Sequence, residues 1–279
     1  VDVSVEDDNG RPVTNLRQGD FEILVDSAPR SIASFSPDNR ALAVVMLVDV
    51  SASMSRVSLS DDDRFRRTLE AFIRELRTGD RATLGRISGG SMKTDALSGD
   101  SAALFRNVTD VLTVPDSDRF GPSPLWDALD QASEQVSREP GSRAVVLCTD
   151  ARSTGNHLGM ADVIDRATAG GVSIHIIIED YSSGGLTLRR GQKKAPSPCA
   201  RVAALTAATG GTCRVNSLEG NGYFNEPPIP EVRRVLDALH RRYTLGFQAD
   251  PDGQTHALEV RVKRSGLRVR APTRYLAGK

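Results

Sequence analysis

One stretch near the start of the chain limits the possible fold more than any other. Residues 41–54 read ALAVVMLVDVSASM, an unbroken apolar run that ends at Asp49 and continues as a short polar loop. A continuous apolar run of this length is typical of a strand buried on both faces, as in the interior of a parallel sheet. We therefore expect a strand over Ala41–Val48 with polar side chains at its carboxyl end.

The loop after this strand carries oxygen ligands at alternate positions. Asp49, Ser51 and Ser53 form the pattern D-x-S-x-S. A hard cation such as Mg²⁺ prefers oxygen ligands, with few carboxylates and some retained waters. The loop therefore predicts a protein that binds through a divalent cation rather than one that carries out covalent chemistry.

Between residues 40 and 241, apolar strands alternate with amphipathic helices. We expect helices over 64–77, 102–112, 125–136, 160–169, 200–208 and 231–241, and further strands over 81–87, 143–149, 172–178 and 212–215. Repeated strand–helix units predict an α/β fold with a doubly wound, mostly parallel, Rossmann-like sheet that is covered on both faces.

Both ends of the chain read as β structure. Three short strands are expected within residues 1–36 and three more after residue 241. Because three strands alone form a marginal sheet, we expect the two groups to pair. The α/β domain, residues 40–241, would then be inserted in a small discontinuous β-sandwich-like module made of residues 1–39 and 242–279.

Two other segments place oxygen atoms where the first loop would lie. Ser123 precedes a predicted helix, and Asp150 follows the buried strand 143–149. In open α/β sheets, ligands bind beyond the carboxyl ends of strands where the strand order reverses. If the two buried strands are neighbours at that point, two carboxylates and three hydroxyls converge there: Asp49, Ser51, Ser53, Ser123 and Asp150.

These segments resemble the von Willebrand factor type A (VWA) domain and its metal-ion-dependent adhesion site (MIDAS). The family pattern is D-x-S-x-S, then a threonine before a helix, then an aspartate after a strand. The resemblance implies that Ser51, Ser53 and Ser123 touch Mg²⁺, or alternatively Mn²⁺ or Ca²⁺, and that Asp49 and Asp150 bond to it directly or through water. An Asp or Glu of a protein partner would fill the open position. Ser123 stands where threonine is usual, so we expect weaker orientation of this ligand but no loss of the site.

The flanking segments resemble VWA-related bacterial proteins typical of Acidobacteria. The matching residues are GRPV at 10–13, GDF at 19–21, IASF at 32–35, TGG at 209–211 and RYTLGF at 242–247. Because such proteins are mostly exported, the resemblance implies a secreted, periplasmic or cell-surface location after removal of a signal peptide. A start at Val1 fits that expectation, and it equally fits a trimmed chain.

Composition and motifs set several function classes aside. Lys+Arg and Asp+Glu both number 36, so no net charge favours nucleic acid or an anionic membrane. No apolar stretch approaches the ~20 residues of a membrane span. The chain has no G-x-S-x-G nucleophile elbow, so we do not expect an enzyme. Of the four histidines only His157 is expected near the site, either on a ligand-binding rim or as a solvated loop residue.

Two functions remain after these exclusions. The first is an exported adhesion or interaction module whose metal engages an acidic group of a partner. The second is a structural subunit of an extracellular assembly, in which the metal only stabilises loops and the chain forms an oligomer or a larger structure. An intracellular helper that presents clients to an ATPase fits less well. In the first case the last helix, 231–241, would link the site to the β module.

The three cysteines leave the redox compartment open. Cys148 lies in an apolar strand and is expected to be a small buried hydrophobe. Cys199 and Cys213 flank a short helix and could pair only if the chain folds back on itself. The sequence therefore permits a disulfide without requiring one.

Overall fold

A six-stranded, mostly parallel sheet forms the centre of the protein, whose computed structural model describes residues 1–37, 40–54, 61–180, 197–217 and 227–278. The strand order is β10-β9-β8-β5-β6-β7, and only β6 and β7 are antiparallel. The strands are β5 (Leu42–Asp49), β6 (Arg81–Ser88), β7 (Ser91–Thr94), β8 (Ser142–Thr149), β9 (Val172–Asp180) and β10 (Cys213–Ser217). All eight residues of β5 are buried, as the apolar run predicts.

Helices cover both faces of this sheet. They are α1 (Asp61–Glu75), α2 (Ser101–Leu112), α3 (Asp116–Arg119), α4 (Leu125–Ser137), α5 (Met160–Ala169), α6 (Ala203–Ala208) and α7 (Ile229–Leu239). Val44 and Met46 of β5 pack in one core with α1, α2 and α7, whereas Val45 and Leu47 pack in another with α4, α5 and α6. Alternate residues of a strand face opposite sides, so one buried strand supplies both cores. The doubly wound α/β fold is confirmed.

The strand order reverses beside β5. The chain continues from β5 to β6 on one side, while β8 lies on the other. Loops from several segments meet at the carboxyl edge: Val50 N donates to Ile87 O at 3.1 Å, and Ala52 N donates to Arg119 O at 2.7 Å. This edge is the crevice in which open α/β sheets bind ligands.

Two antiparallel four-stranded sheets combine strands from both ends of the chain, in the orders β13-β1-β11-β4 and β14-β12-β2-β3. Their strands are β1 (Asp2–Asp7), β2 (Phe21–Val25), β3 (Ala28–Arg30), β4 (Ile32–Pro37), β11 (Tyr243–Phe247), β12 (Thr255–Val262), β13 (Leu267–Arg270) and β14 (Arg274–Leu276). One apolar core that includes Phe21, Tyr243 and Leu245 joins the two sheets.

In the part of the chain that the structure describes, the terminal β module has four strands from each end, and the expectation of three from each end was wrong. The additional strands β3 and β14 have three residues each and lie at sheet edges, so they are too short to show an alternating pattern. Strands of both groups pair, as expected, with Leu258–Val262 opposite Phe21–Val25. The boundaries at 39/40 and 241/242 stay a proposal.

A disulfide joins Cys199, within a short 3-10 turn that precedes α6, to Cys213 at the start of β10. The chain folds back between them at Gly210, whose φ of +71° lies in the left-handed region. At Gly211 a Cβ atom would lie 1.8 Å from Ile174 O, so only glycine allows this close approach to β9. The glycine pair thus brings the two cysteines together.

We expect the double variant Cys199→Ser and Cys213→Ser to lose about 3 kcal/mol of unfolding free energy, because a cross-link over a loop of this length restricts the unfolded chain. Urea denaturation of wild type and variant measures the difference. Reduced wild type serves as the control and should unfold at the same urea concentration as the variant. Equal stability of oxidised and reduced wild type would contradict the prediction.

Candidate functional site

Asp49, the last residue of β5, is the centre of the candidate site. Its side chain has no exposed surface. Oδ1 accepts hydrogen bonds from the Ser51 backbone N–H at 3.1 Å and from Ser123 Oγ at 3.2 Å, and Oδ2 accepts from Thr149 Oγ1 at 2.8 Å. Donors from three separate segments therefore fix the orientation of this carboxylate.

The three predicted hydroxyls lie around this carboxylate. Ser51 Oγ and Ser53 Oγ are 3.2 Å apart, and Ser51 and Ser123 are both buried. Ser123 is held by its main chain, since its N–H donates to Thr154 Oγ1 at 3.0 Å and its carbonyl accepts from Thr154 N at 2.9 Å. The structure thus connects Asp49, Ser51, Ser53 and Ser123 in one hydrogen-bonded group.

Asp150 lies at the same edge but makes its described hydrogen bonds elsewhere. Its Oδ1 accepts from Arg152 N at 3.0 Å, and its Oδ2 lies 3.5 Å from Arg152 Nε. The carboxylate is 7% exposed, and its charge acts on Asp49. The following residue, Ala151, has a φ of +57°, and its N–H donates to Thr149 Oγ1 at 3.0 Å. Asp150 therefore contributes its charge to the site without a direct bond to the other four residues.

The electrostatics at Asp49 are those of a buried charge that lacks a basic partner. Burial raises the pKa of the Asp49 carboxyl, and the charge of Asp150 raises it further, while hydrogen bonds from Ser51 and Thr149 lower it. Nowhere in the described ranges does a Lys, Arg or His side chain form an ion pair with Asp49. Buried charges in proteins are normally paired or coordinate a metal.

The oxygen atoms of this group fit a hard divalent cation. Hydroxyl and carboxylate oxygens are the protein ligands that Mg²⁺ and Ca²⁺ take. Within the part of the chain that the structure describes, no group of three or more His, Cys, Asp or Glu side chains is arranged for a metal. The hydroxyl-rich group at Asp49 is therefore the candidate for a cation, and it is chemically unlike a His- and Cys-based zinc site.

Sequence reasoning missed the residues that hold the loops of the site together. Thr149 donates to Asp49, as described above, and the S-T-G-N run at 153–156 caps α4 from another segment. Ser153 Oγ accepts from Leu125 N at 3.1 Å, and Asn156 Oδ1 accepts from Trp126 N at 2.8 Å. Pro124 at the N-cap of α4 forms no side-chain cap of its own. The sequence did contain a signal for these contacts: residues that commonly cap helices occur there in a run, with no helix immediately after it.

His157 lies in the same loop and is strongly exposed, with 92% of its side chain accessible. Its Nδ1 is 2.8 Å from Asp127 Oδ2, and Asp127 Oδ1 also accepts from the backbone N–H groups of His157 at 3.0 Å and Leu158 at 2.8 Å. Asp127, in the first turn of α4, was missed as well. It fixes the loop backbone and leaves the imidazole at the surface.

Phe120 is the most exposed large apolar side chain of the described ranges, at 80%. It lies three residues before Ser123, in the segment whose Arg119 carbonyl accepts from Ala52 N at 2.7 Å. The Phe120 ring is therefore accessible at the surface close to the segment that holds Ser123.

Comparison with solved structures shows that the chain has a VWA-like fold. A von Willebrand factor type A protein from Catenulispora acidiphila matches 100% of this chain and 74% of its own at 12% identity, with a TM-score of 0.53. Proximal thread matrix protein 1 from the mussel byssus, with a zinc-occupied MIDAS motif, matches 77% of this chain and 49% of its own at 13% identity, with a TM-score of 0.54.

A bacterial protein gives a similar result. BatB from Bacteroides thetaiotaomicron matches 71% of this chain and 98% of its own at 14% identity, with a TM-score of 0.51. Identities this low show the fold alone. No family model and no curated protein matches the sequence. Among the described helices, none has the length and apolar character needed to cross a membrane.

Proposed function

We propose that this chain is a protein-binding module that engages an Asp or Glu of its partner through Mg²⁺ held at the Asp49 site. The observation that carries the proposal is the fully buried Asp49 carboxylate, which has a raised pKa and no basic partner in the described ranges. A cation on the adjacent hydroxyls would compensate that charge. The VWA-like fold, with a zinc-occupied MIDAS in one structural neighbour, supports the same conclusion.

Each residue has a distinct task in this proposal. Ser51, Ser53 and Ser123 would supply hydroxyl oxygens to the ion, because their Oγ atoms surround the carboxylate on short loops. Asp49 and Asp150 would bring negative charge and orient hydroxyls and retained waters. When bound, the cation supplies an electrophilic position for the partner's carboxylate. Thr149 keeps Asp49 Oδ2 occupied, so that Oδ1 remains on the side of the serines.

The surroundings of the site favour a partner in which the acidic residue stands beside an apolar one. Phe120 offers an exposed ring, and Arg152 and His157 offer polar groups at the rim, with exposed side-chain fractions of 54% and 92%. Exposed aromatic and arginine side chains provide much of the binding energy in protein interfaces. Binding rather than catalysis is the function this surface supports.

The disulfide bears on where such a module would act. Disulfides persist in oxidising surroundings and are rare in the reducing cytosol. The bond between Cys199 and Cys213 therefore supports our proposal of a secreted, periplasmic or cell-surface protein.

A second function, a structural subunit of an extracellular assembly, is favoured by the edges of the terminal β module. Strands β4 and β13 each end a sheet, and an edge strand can pair with a strand of another copy. In that case the metal site would only stabilise its loops. The variant Ser123→Ala distinguishes the two functions. If the chain is an adhesion module, the variant loses metal and partner binding while assembly survives. If the chain is a structural subunit, the variant assembles normally.

Calorimetric titration of the purified chain with MgCl₂ and MnCl₂, with thermal unfolding followed alongside, tests the proposal. We expect saturable binding of one ion and a higher unfolding temperature, since a ligand that binds the native state stabilises it. The titration is repeated with excess acetate, which stands in for the partner's carboxylate. Absence of both heat and thermal shift, with and without acetate, would reject the metal-dependent function.

A further inference from the structure

A second candidate site lies at the opposite end of the parallel strands. There a cavity of about 290 Å³ lies between the amino edge of the sheet and the terminal β module. The residues that matter for its chemistry are four arginines, a threonine and a tyrosine: Arg40, Arg143, Arg242, Arg274, Thr168 and Tyr275. They come from both the α/β domain and the β module.

Positive charge predominates in this cavity. Arg40 hydrogen-bonds to Asp2, the carboxylate that also lines the cavity, and Arg274 Nη2 lies 2.8 Å from Asp165 Oδ1. Arg242 is 5% exposed, and its Nη2 lies 3.8 Å from Asp2 Oδ2. Among the described residues that line the cavity, four are arginines and one, Asp2, carries a carboxylate, and guanidinium groups attract oxyanions.

Arg143 is positioned by neutral groups. Its Nε donates to Glu139 O at 2.7 Å and its Nη1 donates to Gly170 O at 3.0 Å. Across the described ranges, no carboxylate lies within ion-pair distance of it. The two backbone carbonyls hold the guanidinium in place without neutralising it, which preorganises the charge for a ligand.

Thr168 provides an unsatisfied hydroxyl at the same cavity. Its Oγ1 is buried and has no hydrogen-bond partner among the described residues. A buried hydroxyl without a partner costs free energy, and a ligand oxygen could supply the missing bond.

His175 of β9 lies near several arginines. Burial and, after it, the charges of Arg242, Arg214 and Arg270 lower the pKa of His175 to about 3. His175 is therefore neutral at physiological pH and adds no charge of its own to this region.

One wall of the cavity is apolar and rigid. It includes Leu258, Pro272 and the ring of Tyr275. The Tyr275 ring stacks on His256 with centroids 5.5 Å apart and meets the edge of Phe247 at 5.2 Å. A ligand body placed against this wall would find it already ordered.

We propose that this cavity binds a small organic anion, one that carries a carboxylate or phosphate on an apolar or aromatic body. Guanidinium groups bind such oxyanions through paired, charge-assisted hydrogen bonds, and the Thr168 hydroxyl adds another. The body of the ligand lies against Tyr275 and Leu258. Because the lining belongs to both parts of the chain, the bound anion strengthens the contact between the α/β domain and the β module.

Phenyl phosphate, benzoate and inorganic phosphate are the probes that test this site by calorimetry on the intact chain. We expect 1:1 binding of phenyl phosphate or benzoate, weakened by salt, and the stronger of the two identifies the preferred oxyanion. Arg143→Gln and Thr168→Val should each weaken it about tenfold, or about 1.4 kcal/mol. The matched control is Arg106→Gln, an exposed arginine of α2 outside the cavity, which should bind as wild type does.

Three results would overturn the proposal. Failure of both organic anions to bind wild type at millimolar concentration rejects the site. Equal binding by Arg143→Gln, Thr168→Val and Arg106→Gln shows adsorption to surface arginines. Inorganic phosphate that binds as tightly as phenyl phosphate rejects the apolar half of the site. Thr168→Val keeps the shape of the side chain and every arginine, so it decides the matter even where Arg143→Gln fails to fold.

Discussion

Replacing Asp49 with alanine is expected to abolish divalent-cation binding, with a loss of affinity of at least about 100-fold, because removal of outer-shell groups alone costs 10–100-fold. Asp49 is the only carboxylate of the described site that hydrogen-bonds to the serines. Without it the hydroxyls of Ser123 and Thr149 lose their acceptor and the ion loses its compensating charge. Calorimetry with Mg²⁺ and Mn²⁺ measures the effect.

The isosteric variant Asp49→Asn distinguishes two roles for Asp49, that of a metal-site carboxylate and that of a purely structural one. The raised pKa of Asp49 means that its charged form is costly in the metal-free fold at neutral pH. We therefore expect Asp49→Asn to unfold, without metal, at a temperature at least as high as wild type and to show no increase when metal is added. Glu134→Gln, at an exposed carboxylate of α4, is the control and should respond to metal as wild type does.

A variant that is much less stable than wild type without metal, yet still stabilised by Mg²⁺, would contradict this assignment. It would show that Asp49 serves the hydrogen bonds of the loops and that the ion binds elsewhere.

Arg64→Met is expected to lower the free energy of unfolding by about 3–5 kcal/mol at neutral pH, because it leaves a buried carboxylate without its partner. Arg64 Nη2 lies 3.0 Å from Glu179 Oε2, and the two side chains are 3% and 1% exposed. Burial raises the pKa of Glu179, and the positive charge of Arg64 opposes that increase. Urea denaturation of wild type and variant measures the loss.

The loss should depend on pH in a definite direction. Removal of Arg64 raises the pKa of Glu179 further, so the native variant binds a proton more readily than the unfolded chain does. A group with a raised native pKa supports stability at low pH and loses that support as pH increases through its native value. The deficit of Arg64→Met is therefore largest at neutral pH and shrinks as the pH falls toward 4.5, the ordinary value for Glu.

The double variant Arg64→Met with Glu179→Gln provides the control. Since it removes both charges together, it should recover most of the stability that Arg64→Met loses, and its stability should show little of that pH dependence. A loss that is equal in the single and double variants, at every pH, would show that Arg64 acts through packing alone.

The parts of the fold that follow from local pattern could be predicted from the sequence. Strand β5 and helix α5 lie within one residue of the predicted ranges, since burial of an apolar run and a helical stripe are each encoded nearby. The meeting of Asp49 with Ser123 could also be predicted, because Asp49 ends a buried strand at the edge where open α/β sheets bind ligands, and Ser123 precedes a helix in the position that the MIDAS pattern gives to a hydroxyl.

The remaining features depend on tertiary contacts that leave little trace in local sequence. Edge strand β7 has four residues and forms only against β6. Thr149 reads as one more residue of a buried strand, and its hydroxyl gains a role only because Asp49 lies beside it. Pairing of Cys199 with Cys213 depends on the turn at Gly210 and on the close approach of Gly211 to Ile174. The metal-ligand roles of Asp49, Ser51, Ser53, Ser123 and Asp150 stay predictions.

The position of β1 between β11 and β13 has a consequence for the order in which the chain acquires its structure. Ser4 pairs with Arg270, and Val3 pairs with Tyr243. During synthesis from the amino terminus, strand β1 must wait until β11 and β13 have emerged before its neighbours exist. The α/β domain, whose strands pair over shorter separations, would fold first and bring the two ends together. Until then β1 has no partner strand and its Val3 and Val5, which are buried in the folded protein, are exposed, so a newly made chain would be most prone to aggregate during this interval.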